Sequence, residues 1–479
     1  MREIARLLLP SIRWNPTLGM AAVRPAVERA LDAGVGGFVL DGVPMEASIE
    51  LTTAIRGRAD EAPLLVMDPG SFDDRVGRRQ PVALPPPAAI ASLRDPHVVR
   101  RAARLAGRAV RRTGCNAMLG PSCNVAGAPV VESFGADASS VALAVAESVD
   151  AVQAEGVLSC VGDFPGTGRA TNDVSALPTV RVPEDSLYDV DLVPFRAAID
   201  AGAAAITMAA AAYPSLDARN EPAALSSAVI DRVLRQQLGF DGLVLADAAL
   251  LERRVGRSVT ACDLVAAGVD LVLRTDRLDT DLRGLLDAVA QGRVDRERVH
   301  DAARRRRERA ELAGAPAPPD SGREDDAWLD ELAERTIAVV RGRAVRMEAP
   351  IDVLVASDRR VDRSGIAQSL VDGVAQAGGD PVGVRHVHTV GAATRSTLVI
   401  VATMAPRAVR PGHGPSATVP RELAAVCADA REARREIVVL WCGHPDAAPA
   451  SLDADLLVAC WTASDAMLRA AGRWMMQRV

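Results

Sequence analysis

The feature that most limits what this chain can fold into is a regular alternation of two kinds of segment before residue 313. Short apolar runs recur at Leu7 to Ile12, Gly37 to Leu40, Leu64 to Asp68, Ala117 to Gly120, Val157 to Val161, Ala204 to Met208, Leu243 to Asp247 and Leu271 to Arg274. Runs this short and this evenly apolar read as strands buried on both faces. Between them lie Ala- and Arg-rich amphipathic stretches such as Val98 to Arg112, Ser140 to Glu155 and Ser227 to Leu238, with helix-stopping glycines at 114, 156 and 239. Eight strands, each followed by a helix, predict a (β/α)8 TIM barrel over residues 1–313.

Composition narrows the function. The 479 residues carry a net charge of −6, and the basic side chains are spread rather than clustered, so nucleic acid is not an expected partner. The dense run Arg304 to Arg307 sits in a helical, Glu-rich context and reads as a solvated face. No lysine occurs, which excludes Schiff-base and lysine-base chemistry. Seven cysteines without C-x-x-C spacing suggest buried thiols in a reducing, cytoplasmic setting, with no metal or other cofactor expected. No run approaches twenty apolar residues, so no membrane partner is expected.

The proline-rich stretch Ala315 to Gly322 reads as a linker, placed at 314–326. Residues 327–479 are then expected to form a smaller, shortened three-layer α/β domain. A helix (Ala327 to Ile337) precedes apolar runs at Ile351 to Ala356, Leu398 to Ala402 and Ile437 to Trp441.

Chemistry concentrates in Gly156 to Pro178, GVLSCVGDFPGTGRATNDVSALP, where a strand empties into a polar loop with Asp163, Thr167 and Asp173 available at its tip. In a barrel, such loops at the carboxyl ends of strands hold the site. Phe164, Pro165, Gly166, Gly168, Asp173, Leu177 and Pro178 match the K-H-F-P-G-H-G, D-S-H and L-P wording of glycoside hydrolase family 3. The chain thus resembles that family, most closely its bacterial β-N-acetylglucosaminidase (β-hexosaminidase) branch. Ser133-Phe134-Gly135 with Asp137, Leu192 to Arg196, Tyr213-Pro214 and Arg235 to Val244 resemble further family motifs. The ionisable members of those motifs are replaced: Lys by Gly162, His by Asp163, a second His by Thr167, an Arg by Glu132 and another His by Ala210.

The resemblance implies a small carbohydrate ligand and retaining hydrolysis of β-linked N-acetylhexosamine or a related sugar. That chemistry needs a nucleophilic carboxylate and a proton donor about 5 Å apart. Asp247, after four apolar residues, matches the family's nucleophile position; it could equally be the N-cap of the helix that follows. Asp173 matches the Asp of the family's Asp–His dyad. Its His partner is missing, since no histidine lies between His97 and His300. Asp163, Asp173 and Glu132 are candidate substitute acids if burial raises one of them. Asp68, Asp163, Glu132 and Thr167 are the candidate substrate-binding residues. His413 could reach the mouth from the C-terminal part, and His386 with His388 is a weak metal pattern. Three functions stay open: a glycosidase acting through Asp247, a non-catalytic barrel that binds or regulates, and a barrel using Asp68, Glu132, Asp163 and Asp247 around a divalent cation.

Overall fold

A computed structural model describes residues 2–15, 17–69, 82–171, 177–314, 323–343, 345, 351–357, 363–379, 384–387, 397–403, 421–449 and 451–478. Nine parallel segments form one sheet: β1 (Leu8–Leu9), β2 (Ser11–Arg13), β3 (Gly37–Asp41), β4 (Leu64–Met67), β5 (Ala117–Ser122), β6 (Leu158–Phe164), β7 (Ala205–Met208), β8 (Leu243–Asp247) and β9 (Leu271–Leu273). Their order, β1-β9-β8-β7-β6-β5-β4-β3-β2, places β1 and β2 at the two edges. These two segments are one stretch of chain interrupted at Pro10, which lacks the N–H a ladder needs. The nine segments therefore make eight staves, and the ring closes through that proline: a TIM barrel.

Every predicted strand start lies within one residue of the observed one. Helices such as Pro96–Arg112, capped by Asp95, and Ala138–Ala154, capped by Asp137, cover the outside. On the face opposite the mouth, fully buried Asp270 accepts hydrogen bonds from Arg235 (2.6 Å) and Arg298 (2.8 Å) and from the backbone N–H of Val244 (2.8 Å), with Arg305 at 3.3 Å. One carboxylate so ties three arginines to the start of β8.

A second sheet lies in the C-terminal part. It runs β10 (Ala338–Gly342), β15 (Leu456–Ala459), β14 (Ile437–Trp441), β13 (Leu398–Thr403), β11 (Ile351–Ser357), β12 (Val384–Val387), parallel except for β10. Alternate residues face opposite sides. Val353, Val355, Val399, Val401, Val438 and Leu440 pack with helices Arg363–Gln376 and Asp465–Arg478. Leu354, Ile400, Ile437 and Val439 meet Leu423 and Cys427 of helix Arg421–Glu432. Sheet with helices on both faces is the predicted three-layer arrangement. The edge strand β10 and the strands β12 and β15 were not expected from the sequence. Ala88 and Ala89, beside the barrel, belong to the same apolar cluster as Ala333 and Trp461, and Arg101 stacks over Trp328 at 4.4 Å. Among the described residues no helix is long and apolar enough to cross a membrane.

Candidate active site

The carboxyl ends of the barrel strands converge on one guanidinium. Arg274 follows β9, and its side chain is only 11% exposed. Its Nη1 donates to Asp247 Oδ2 (2.7 Å), its Nη2 to Asp68 Oδ2 (2.5 Å) and to Asp41 Oδ1 (2.9 Å), and its Nε to Asp41 Oδ2 (3.2 Å). Asp41 ends β3, Asp68 follows β4 and Asp247 ends β8, so a single side chain spans the mouth between opposite parts of the ring. The surrounding carboxylates hold its pKa above the ordinary arginine value, although burial works the other way.

Asp247 occupies both places the sequence left open, the barrel mouth and the N-cap of the helix that follows. It stands at the mouth, and its Oδ1 accepts the backbone N–H of Leu250 at 2.8 Å, capping helix Ala248–Val255. One of its oxygens is therefore held by the helix and the other by Arg274.

Asp163 stands on β6, where the pairing with β7 skips from Val161 to Phe164 and the strand turns its side chain toward the mouth. Burial pushes its carboxyl up to about 6; the hydroxyl of Thr207, 3.2 Å away, opposes the rise, and the charges of Asp247 and Asp68 add to it. Gly162 beside it has no room for a side chain, because a Cβ there would lie 1.7 Å from Thr207 Oγ1.

The loop after β6 keeps its shape through backbone, neutral and ion-paired partners. Tyr213 Oη donates to the carbonyl of Gly166 (2.8 Å), which has φ +113°. The N–H of Thr167 donates to Asn124 Oδ1 (2.7 Å), and Arg169 pairs with buried Asp191 and donates to Ser186 Oγ (3.0 Å). These contacts hold the F-P-G-x-G loop in place.

The structure thus brings together Asp68, Asp163 and Asp247 of the expected set. Thr167, half-buried, joins the loop through its backbone, whereas Glu132 is exposed and makes no described contact with the cluster. Asp173, His388 and His413 lie outside the described residues. Among the described residues no group of three or more His, Cys, Asp or Glu could hold a metal ion. Two residues of the site were missed from the sequence, Asp41 and Arg274. Both directly follow apolar runs, the same signal that singled out Asp247.

Comparison with known proteins bears on this arrangement. The model of the glycosyl hydrolase family 3 N terminal domain matches residues 7–307. A beta-N-acetylglucosaminidase/beta-glucosidase of Cellulomonas fimi is 32% identical over 225 residues, 43% of this chain and 40% of that protein. The chain therefore spans less than half the length of that relative. A beta-hexosaminidase of Xanthomonas campestris pv. campestris (strain B100) is 34% identical over 226 residues, 45% of this chain and 67% of that protein. The solved structure of a glycoside hydrolase family 3 beta-N-acetylglucosaminidase from Paenibacillus sp. str. FPU-7 superposes with a TM-score of 0.80 at 23% identity, covering 100% of this chain and 97% of that one. That superposition speaks to the fold.

Proposed function

The chain belongs to glycosyl hydrolase family 3, and from that premise we propose that its barrel mouth is a site for a β-linked N-acetylhexosamine or a related β-sugar, hydrolysed slowly with retention. Asp247 is the nucleophile: its Oδ2 attacks the anomeric carbon as the glycosidic C–O bond breaks, and water later releases the sugar from the carboxylate. Asp163 is the candidate proton donor to the leaving oxygen. A buried carboxyl raised to about 6 beside an ion-paired one is the division of roles that acid–nucleophile pairs require. Asp68 is left to hold a sugar hydroxyl.

The observation that carries this reading is the convergence of Asp68, Asp163 and Asp247 at the carboxyl end of one barrel, joined by Asp41. The test is a panel of aryl β-glycosides, whose leaving groups need little protonation and so probe the nucleophile alone. Turnover that disappears in Asp247→Asn supports the reading.

A second reading, a non-catalytic barrel that binds sugar or regulates, is favoured by the engagement of both Asp247 oxygens. It predicts no turnover together with sugar-induced thermal stabilisation.

A further inference from the structure

We propose that Arg274 occupies the space a sugar ring needs above Asp247, and that this one side chain holds hydrolysis down. The inference rests on the reading of the mouth as a sugar site.

Three observations carry it. The first is reach: hydrogen bonds from one guanidinium to carboxylates on β3, after β4 and on β8 draw it across the mouth rather than along its rim. The second is strength. Here donor and acceptor are both ionised and the guanidinium grips Asp41 through two of its nitrogens, whereas a sugar hydroxyl brings no charge of its own to the same carboxylates. A neutral sugar must displace a charge with partners that carry none. The third is backbone conformation. Arg274 has φ +54°, a left-handed geometry that is unfavourable for a non-glycine residue, and its N–H donates to the carbonyl of Leu9 at 2.8 Å. The fold holds the residue in an unfavourable conformation that places its side chain over the mouth.

The charge pattern agrees. On β6 the positions nearest the mouth read Gly162 and Asp163 and supply no cation. Arg274 supplies one positive charge to the site from a different strand. The site keeps part of its charge balance but places the cation against the nucleophile.

The experiment compares wild type, Arg274→Ala, Arg274→Lys and the charge-balanced double variant Arg274→Ala/Asp41→Asn. Each is assayed for turnover of a nitrophenyl β-N-acetylglucosaminide and for thermal stabilisation by N-acetylglucosamine. The expected result is about a tenfold or larger rise in kcat/KM for Arg274→Ala, with a lower KM and a higher kcat, while Arg274→Lys stays near wild type. If Arg274→Ala does not fold, the double variant shows the rise. Folded variants no faster than a wild type that hydrolyses or binds the sugar overturn the inference and leave the sugar site standing. Wild type and variants that neither hydrolyse nor bind any sugar of the panel overturn the sugar site, and the inference with it.

Discussion

The hydroxyl of Thr207 stands 3.2 Å from Oδ1 of Asp163 and fills the space that any side chain at position 162 would enter. One threonine on β7 thereby donates to the acidic residue at 163 and bars any side chain at 162, so the two neighbours on β6 are physically linked.

Adding a side chain at 162 alone is expected to fail. Gly162→Ala drives a methyl to within 1.7 Å of Thr207 Oγ1 and should lower stability by about 1–3 kcal/mol, the usual penalty of overpacking. Gly162→Ala/Thr207→Gly should recover most of it. Urea denaturation of the two variants, read at constant m, checks the pair.

Asp163 makes stability depend on pH in a defined window. Its carboxyl titrates at about 6 when folded and near the ordinary 3.8 when unfolded. The folded state holds the proton more tightly, so stability from this group is greatest below the ordinary value, falls as pH rises to about 6 and is level above. The full fall is at most about 3 kcal/mol, taking 1.36 kcal/mol per unit. Asp163→Asn should abolish this slope in denaturation measured from pH 4 to 7.

The same group sets an expectation for catalysis. With a poor leaving group, kcat should decline above about pH 6 as Asp163 loses its proton, whereas a nitrophenyl substrate should show little decline. A pH–rate profile identical for both leaving groups would remove Asp163 from the donor role.

Asp247 separates two kinds of variant. Asp247→Asn keeps an oxygen for the N–H of Leu250 and should preserve helix Ala248–Val255. Asp247→Ala loses the cap and should cost about 0.5–2 kcal/mol more. Thermal unfolding of the two side by side measures the difference.

Asp270 anchors the opposite face. Asp270→Ala leaves Arg235 and Arg298 without the carboxylate both now donate to, and should destabilise by about 3–5 kcal/mol, as breaking a buried ion pair does. Chemical denaturation tests this independently of any activity.

Much of the barrel was legible because burial on both faces leaves an unbroken apolar run, and all eight runs are strands. In the second sheet the same rule found β11, β13 and β14 but passed over the edge strands β10, AVVRG, and β12, VRHV, and the interior strand β15, LLVA. Edge strands are solvated on one side and carry charges that interrupt the apolar pattern. At the site, Asp247 and Asp68 were legible as polar residues ending apolar runs. Arg274 met the same criterion and was read only as the end of its strand. Nothing in a linear sequence tells that a left-handed backbone turns that arginine inward to carboxylates more than 200 residues away, Asp41 and Asp68.

The division of labour between the two oxygens of Asp247 makes them chemically distinct. Oδ1 is fixed by the N–H of Leu250 at the positive end of a helix, and Oδ2 is the one released when the arginine moves. An ester formed through Oδ2 would keep its carbonyl oxygen against that helix terminus. The electron pair returning to the carboxylate when the sugar departs would then flow toward a dipole already in place, so on the proposed mechanism breakdown of the ester would be favoured over its accumulation.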